Sequence, residues 1–176
     1  MRIELQPVTQ SAAPKILELM DACRSDPSIQ ADFQETLDVY TNLSDTASRL
    51  GQLYDSATPT RHGYVAVGDE MPVGMGWLGL DAQEVTRYDH ASESFTGINM
   101  SFFVRKEFRR RGVARKLAHQ LRDDVDALKT QHGDWQNGVL WTGVRPENHA
   151  SRSLVTSLGM ISVGTRTADP TYLVYF

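Results

Sequence analysis

The stretch that most constrains this chain is a strand, a short basic loop and a long helix in direct succession. Residues 95–104 read as a strand. Residues 112–130 carry the clearest helical periodicity in the sequence. Ala114, Leu117, Ala118, Leu121, Val125 and Leu128 make one apolar stripe, and Arg115, Lys116, Arg122 and Asp123 fall off it. The joining segment is Arg105-Lys-Glu-Phe-Arg-Arg-Arg-Gly112. An amphipathic helix fed by a strand lays its stripe against the sheet that strand belongs to, which points to a layered α/β chain.

The remaining elements fit around that unit. Residues 2–8 read as a strand. A helix opens at Ser11 or Ala12, with Pro14 in its first turn and Ile16, Leu17, Leu19 and Met20 on its apolar side. Ser25-Asp-Pro-Ser28 ends it, and residues 33–54 form a second helical region that Asn42-Leu-Ser44 interrupts. Strands at 63–67 and 72–80 flank a hairpin turn, Gly68-Asp-Glu-Met71. The polar stretch 81–94 reads as a loop near the working face. A strand at 138–144, a helix at 147–158 and strands at 161–164 and 171–176 complete the order β-α-α-β-β-β-α-β-α-β-β. This predicts one domain over residues 1–176, with a mixed, mostly antiparallel sheet of six to seven strands and helices on both faces.

Phosphate chemistry follows from the basic loop. The first turn of a helix has backbone N–H groups without partners, and the helix dipole places partial positive charge there. Gly112 and Ala114 leave room for an anion to approach the backbone. Arg109, Arg110, Arg111 and Arg115 add fixed charge and paired donors. The whole chain has a formal net charge of −4, so this cluster stands against the general balance. It predicts a di- or polyphosphate ligand; an exposed, solvated basic loop is the other reading of the charge run alone. The Gly-Lys-Ser/Thr ending of a phosphate-binding P-loop and the glycine triplet of a dinucleotide fold are both missing.

The same residues resemble a known family. Arg109-Arg-Arg-Gly-Val-Ala114 is similar to the pattern Gln/Arg-x-x-Gly-x-Gly/Ala of the GNAT N-acetyltransferases. Downstream, Asn148-His-Ala-Ser-Arg-Ser-Leu-Val-Thr-Ser-Leu-Gly-Met160 resembles the second GNAT signature, matching it at Asn148, Ser151, Leu154, Leu158 and Gly159. Gly159 independently suits the left-handed residue that ends a helix. The resemblance implies acetyl-CoA as cosubstrate. Its pyrophosphate would lie on Arg109, Arg110, Arg111, Gly112, Val113, Ala114 and Arg115, and its pantetheine arm would run beside Phe103 and Val104. Asn148 and Ser151 would complete the set. It also implies direct attack of an amine on the acetyl thioester. Val155 stands where the family often has a tyrosine that protonates the leaving thiolate, so that role does not carry over.

For the remaining chemistry the sequence offers Glu93 as a base, Asn99 and Ser101 on one strand face as holders of a water wire, and Tyr172 as an acid. Tyr175, Ser153 and His149 are further candidates for the acid. The family's acceptor pocket would take in Asp21, Asp26, Asp32, Glu35, Asp38, Tyr40, Trp77, Tyr88 and Asp89, a set suited to a cationic amine. The expected partner is a small-molecule amine or a peptide N-terminus. A non-catalytic acyl-CoA sensor on the same scaffold is the alternative. Nucleic-acid binding is disfavoured by the net charge, and no metal site is read. The single cysteine, Cys23, has no disulfide partner, and no leader or membrane-spanning run is evident. A cytoplasmic protein follows, with a homodimer through an exposed edge such as residues 171–176 as an option.

Overall fold

The computed structural model describes residues 2–27 and 42–176. In chain order it contains β1 (Ile3–Pro7), α1 (Ala13–Arg24), α2 (Leu43–Tyr54), β2 (Arg61–Gly68), β3 (Met71–Arg87) and β4 (Ser92–Val104). These are followed by α3 (Val113–Gln131), β5 (Val139–Val144), α4 (His149–Ser157), β6 (Ser162–Arg166) and β7 (Leu173–Tyr175). That is the order expected from the sequence. The strands form one seven-stranded sheet in the order β1-β2-β3-β4-β5-β7-β6, with β3 also pairing β6. Pairing is antiparallel at β1–β2, β3–β6, β5–β7 and β6–β7, and parallel at β4–β5.

The chain divides into two compact units, Met1–Trp77 with Phe102–Leu117, and Leu78–Ser101 with Ala118–Phe176. In the first unit, α1 buries Ile16, Leu19, Met20 and Cys23 in a cluster with Leu50 of α2, Val65 and Val67 of β2, Met75 and Trp77 of β3, and Phe103 of β4. Each such aliphatic side chain withdrawn from water contributes roughly 1.5–3 kcal/mol. Asn42 caps α2, its side-chain oxygen accepting from the Asp45 N–H at 2.9 Å. The interruption expected at Asn42-Leu-Ser44 is therefore a helix start; the part of that region before Asn42 lies outside the described residues. The β2–β3 turn holds Asp69 and Glu70 at φ of 49° and 70°. Positive φ at both central residues is the primed turn that matches strand twist.

In the second unit the extra β3–β6 pairing, Val85↔Arg166 to Arg87↔Gly164, closes a ring through β3, β4, β5, β7 and β6. Val85, Trp141 and Val174 are buried there, with Phe95, Val163 and Phe176 against them. Helix α4 ends as anticipated. Gly159 has φ of 85°, the Met160 N–H donates to Val155 O, and the Gly159 N–H donates to Thr156 O. This is the Schellman arrangement that only a residue comfortable in the left-handed region makes cheaply.

Two expectations are corrected. Residues 81–94 are not a loop: β3 runs to Arg87, β4 starts at Ser92, and only a short turn separates them. Their polarity misled because those strand segments lie partly open to solvent, so the apolar half of the alternation is sparse. Residues 171–176 do not supply an open edge either, because β7 lies between β5 and β6. Its backbone is already paired on both sides, which removes the proposed strand-to-strand dimer there.

Candidate functional site

The basic loop in the first unit starts at the end of β4. Phe103 and Val104 are buried, Phe103 edge-on to Trp77 at 6.1 Å and Val104 packed with Val113 and Leu117. Val104 thus anchors both ends of the loop. A single 3₁₀ turn, Lys106–Phe108, follows. Two guanidinium groups lie over the Phe108 ring, Arg105 at 5.8 Å and Arg111 at 5.5 Å. Such contacts favour one loop conformation by about 0.5–1 kcal/mol each.

Beyond Phe108 the backbone alternates in a way the sequence did not announce. Arg110 has φ of 62° and Gly112 has φ of 82°. Left-handed residues set close together turn successive N–H groups toward one point, making an anion-binding concavity. The first intrahelical bond of α3 is Lys116 N–H to Gly112 O at 3.0 Å. The N–H groups of Val113, Ala114 and Arg115 therefore have no partner within the helix. A Cβ built on Gly112 meets nothing within 4 Å, so glycine is required there for its φ rather than for space. Arg110, Arg111 and Arg115 are exposed around this concavity. Arg109 is used differently. Its Nε donates to Val104 O at 3.1 Å and its Nη2 pairs with Asp26, a carboxylate whose side chain is 11% exposed. Buried Cys23 stands near this pair; burial pushes its thiol up to about 11 even though Arg105 and Arg109 pull the other way.

The second unit holds a polar cluster that contains the expected pair Asn99 and Ser101 together with Asp81 and Trp141, which sequence reasoning missed. Asp81 on β3 accepts from Trp141 Nε1 on β5 at 3.2 Å and from Gln83 Nε2 at 3.0 Å. The Asn99 side chain also hydrogen-bonds this carboxylate. Ser101 Oγ donates to Asn99 Oδ1 at 3.3 Å, so Trp141, Asp81, Asn99 and Ser101 form one connected chain. Gly97 makes room for it. A Cβ there would stand 2.3 Å from Trp141 Nε1 and 2.9 Å from Asp81 Oδ1. Desolvation raises the pKa of Asp81 above the ordinary aspartate value, opposed by the bonds from Trp141, Gln83 and Asn99 and by the charge of Arg166. The signal in the sequence was a glycine in mid-strand, which marks a close approach.

Other candidates lie elsewhere. Glu93 is in an exposed ion pair with Arg87 at 2.7 Å. Along one strand it is roughly 20 Å from Asn99, so the structure does not bring it to the cluster. Tyr172 accepts from Arg145 Nε at 3.2 Å, with that guanidinium 5.0 Å from its ring. Tyr175 is buried and its hydroxyl accepts from Arg152 Nε at 3.3 Å. Among the acceptor-pocket residues, Trp77 is buried, Asp21 pairs with Arg24, and Tyr88 and Asp89 sit at the β3–β4 turn. Asp32, Glu35, Asp38 and Tyr40 lie outside the described residues.

The family model for the GNAT acetyltransferase domain matches residues 2–161. The chain belongs to the GNAT acetyltransferase family. No curated protein matches it. Its fold is similar to a GNAT-family acetyltransferase from Streptococcus pneumoniae at 13% identity and a TM-score of 0.66, covering 99% of this chain and 98% of that one. A ribosomal-protein-alanine N-acetyltransferase from Brucella melitensis is 21% identical with a TM-score of 0.60, covering 99% and 97%. The Campylobacter jejuni N-acetyltransferase PseH, solved with acetyl coenzyme A, is 14% identical with a TM-score of 0.56, covering 99% and 96%.

Within this GNAT chain, the second signature has structural work of its own. Asn148 caps α4, its Oδ1 accepting from the Ser151 N–H at 3.1 Å. Val155 is 0% exposed, so a side chain at this position of α4 packs into the interior.

Proposed function

We propose that this GNAT acetyltransferase uses acetyl-CoA to acetylate a primary amine, either a small molecule or a peptide N-terminus, by direct attack in a ternary complex. The observation that carries this reading is the 105–113 loop. Left-handed Arg110 and Gly112 precede the N–H groups of α3 that have no partner within the helix, with Arg110, Arg111 and Arg115 exposed around them. That arrangement suits a pyrophosphate, because backbone dipoles and fixed cations converge without having to reorganise. Arg109 would act from behind, holding the loop to Val104 O and Asp26. CoA would follow the end of β4 beside Phe103 and Val104, with a backbone N–H polarising the thioester carbonyl.

In the reaction the amine nitrogen bonds to the acetyl carbon, the C–S bond breaks, and the proton shed by nitrogen ends on water or the CoA thiolate. The thiolate is a fair leaving group, and holding two reactants in line can supply several kcal/mol of the barrier. Catalysis would then rest on positioning, which fits the interior valine at position 155. Tyr172 remains the candidate acid, its hydroxyl already held by Arg145. The test is acetyl transfer to trialanine, spermidine and lysine amide, followed by mass spectrometry. A mass gain of one acetyl group that depends on protein is the expected result. Tight acetyl-CoA binding with no transfer to any amine would favour an acyl-CoA sensor instead.

A further inference from the structure

The 105–113 loop accounts for a cosubstrate and leaves the chain Trp141–Asp81–Asn99–Ser101 without a task. A carboxylate placed among β-strands, with a mid-strand glycine to admit it, is costly to keep for packing alone. Its hydrogen bonds have a fixed sense. An ionised carboxylate only accepts, so its bond with the Asn99 side chain must come from the amide NH₂. That settles which end of the amide faces which way and leaves Asn99 Oδ1 pointing toward Ser101, whose hydroxyl donates to it at 3.3 Å. A serine that has spent its one proton keeps lone pairs that can only accept. Ser101 also lies on β4 directly ahead of Phe102, Phe103 and Val104.

Building on the acetyl-transfer reading, we infer that Asp81 is a positioning residue that acts through Asn99 to hold Ser101 Oγ as a hydrogen-bond acceptor for an N–H of the acceptor amine. An amine whose N–H is held this way has its lone pair turned away from Ser101 and free to attack. No proton moves along the chain, which an amide would carry poorly; only orientation is transmitted. An acceptor-only serine selects against a fully substituted nitrogen, which has no N–H to donate. The class of substrate is therefore an amine that keeps an N–H beside its attacking lone pair, as the primary amine of the proposed reaction does.

The test exchanges the partners. Asp81→Asn lets the new amide donate to Asn99, reverse the Asn99 amide and turn Ser101 into a donor. Asn99→Asp alone sets two carboxylates against each other. The double variant Asp81→Asn/Asn99→Asp restores the original sense, since the amide at 81 donates to the carboxylate at 99, which accepts from Ser101. With trialanine, spermidine and lysine amide as acceptors, each single variant should lower kcat about tenfold or more, as for a lost or reversed charge-assisted bond. The exchange should recover most of that loss, with acetyl-CoA affinity unchanged throughout. Ser101→Ala should lose as much as Asp81→Asn, and combining the two should lose little more, because one acts through the other. Thermal melts separate position from structure: Asp81→Asn should melt no lower than wild type at neutral pH, because it removes a desolvated charge.

If wild type acetylates at least one probe but Asp81→Asn matches it, the inference alone is overturned. The same holds if the exchange fails to recover activity, if the Asp81 and Ser101 losses add fully, or if Asp81→Asn melts lower and loses acetyl-CoA affinity. If wild type acetylates no probe, the acetyl-transfer reading falls and takes the inference with it.

Discussion

The 105–113 loop and the cluster around Asp81 are both polar, but they are built by opposite means. In the loop the functional groups are backbone N–H groups, displayed by two left-handed residues at consecutive bends and by the start of α3. Side chains contribute charge from the rim, and the contacts of Arg105 and Arg111 with the Phe108 ring pin the turn. Around Asp81 the backbone is ordinary strand, and the polarity comes from side chains far apart in sequence, Asp81 and Trp141 among them. A site made of backbone is local and tolerates side-chain exchange but not a change of conformation. A site made of packed side chains tolerates backbone adjustment poorly and side-chain loss worst of all.

This contrast can be broken most forcefully at Trp141, which is 1% exposed. Trp141→Ala should cost about 3–5 kcal/mol of stability, as large-to-small changes of buried aromatics do, read as a lower melting temperature. A loss below about 1 kcal/mol would mean the cluster is not packed as described. In the loop the corresponding experiment goes the other way. Arg110→Gly relieves a left-handed penalty of about 1–2 kcal/mol against roughly 0.5–1 kcal/mol of added chain entropy. The variant should therefore be as stable as wild type or up to about 1.5 kcal/mol more stable in chemical denaturation.

Acidity sharpens the comparison further. The pKa of Asp81 is raised in the fold, so the folded state binds its proton more readily than the unfolded chain does. The resulting stabilisation is complete below the ordinary aspartate pKa and is lost as pH rises through the raised value. The melting temperature of Asp81→Asn relative to wild type should accordingly climb with pH across that window. A flat difference would place the carboxylate in water. The smallest effect belongs to Glu93: Glu93→Gln breaks an exposed pair with Arg87 and should change stability by less than about 1 kcal/mol, with acetyl transfer unaltered.

What could be read from the sequence follows the same division. The element order, the α3 stripe, the loop that leads into α3 and the left-handed end of α4 at Gly159 all depend on residues close together in the chain, where periodicity and glycine placement carry the information. Gly112 was legible for that reason. Arg110 was not, because nothing about an arginine announces a positive φ. Glu93 stood out as a carboxylate before a strand, whereas Asp81 was hidden in a stretch too polar to read as strand. Its partner Trp141 is sixty positions away. Only the strand order sets them on either side of β4, where they meet over Gly97, and pairing between distant strands is set by the packing of the whole sheet rather than by any local pattern.

The most direct test of the phosphate-loop assignment is a calorimetric titration with acetyl-CoA, run on wild type and on Gly112→Asp. The substitution strains a φ of 82° and sets a carboxylate at the N-terminus of α3, where the pyrophosphate would lie. Saturable binding by wild type that weakens by about 100-fold or more in the variant is the predicted result, with the variant still folded by circular dichroism. Equal binding by both proteins, or none by wild type, would contradict it.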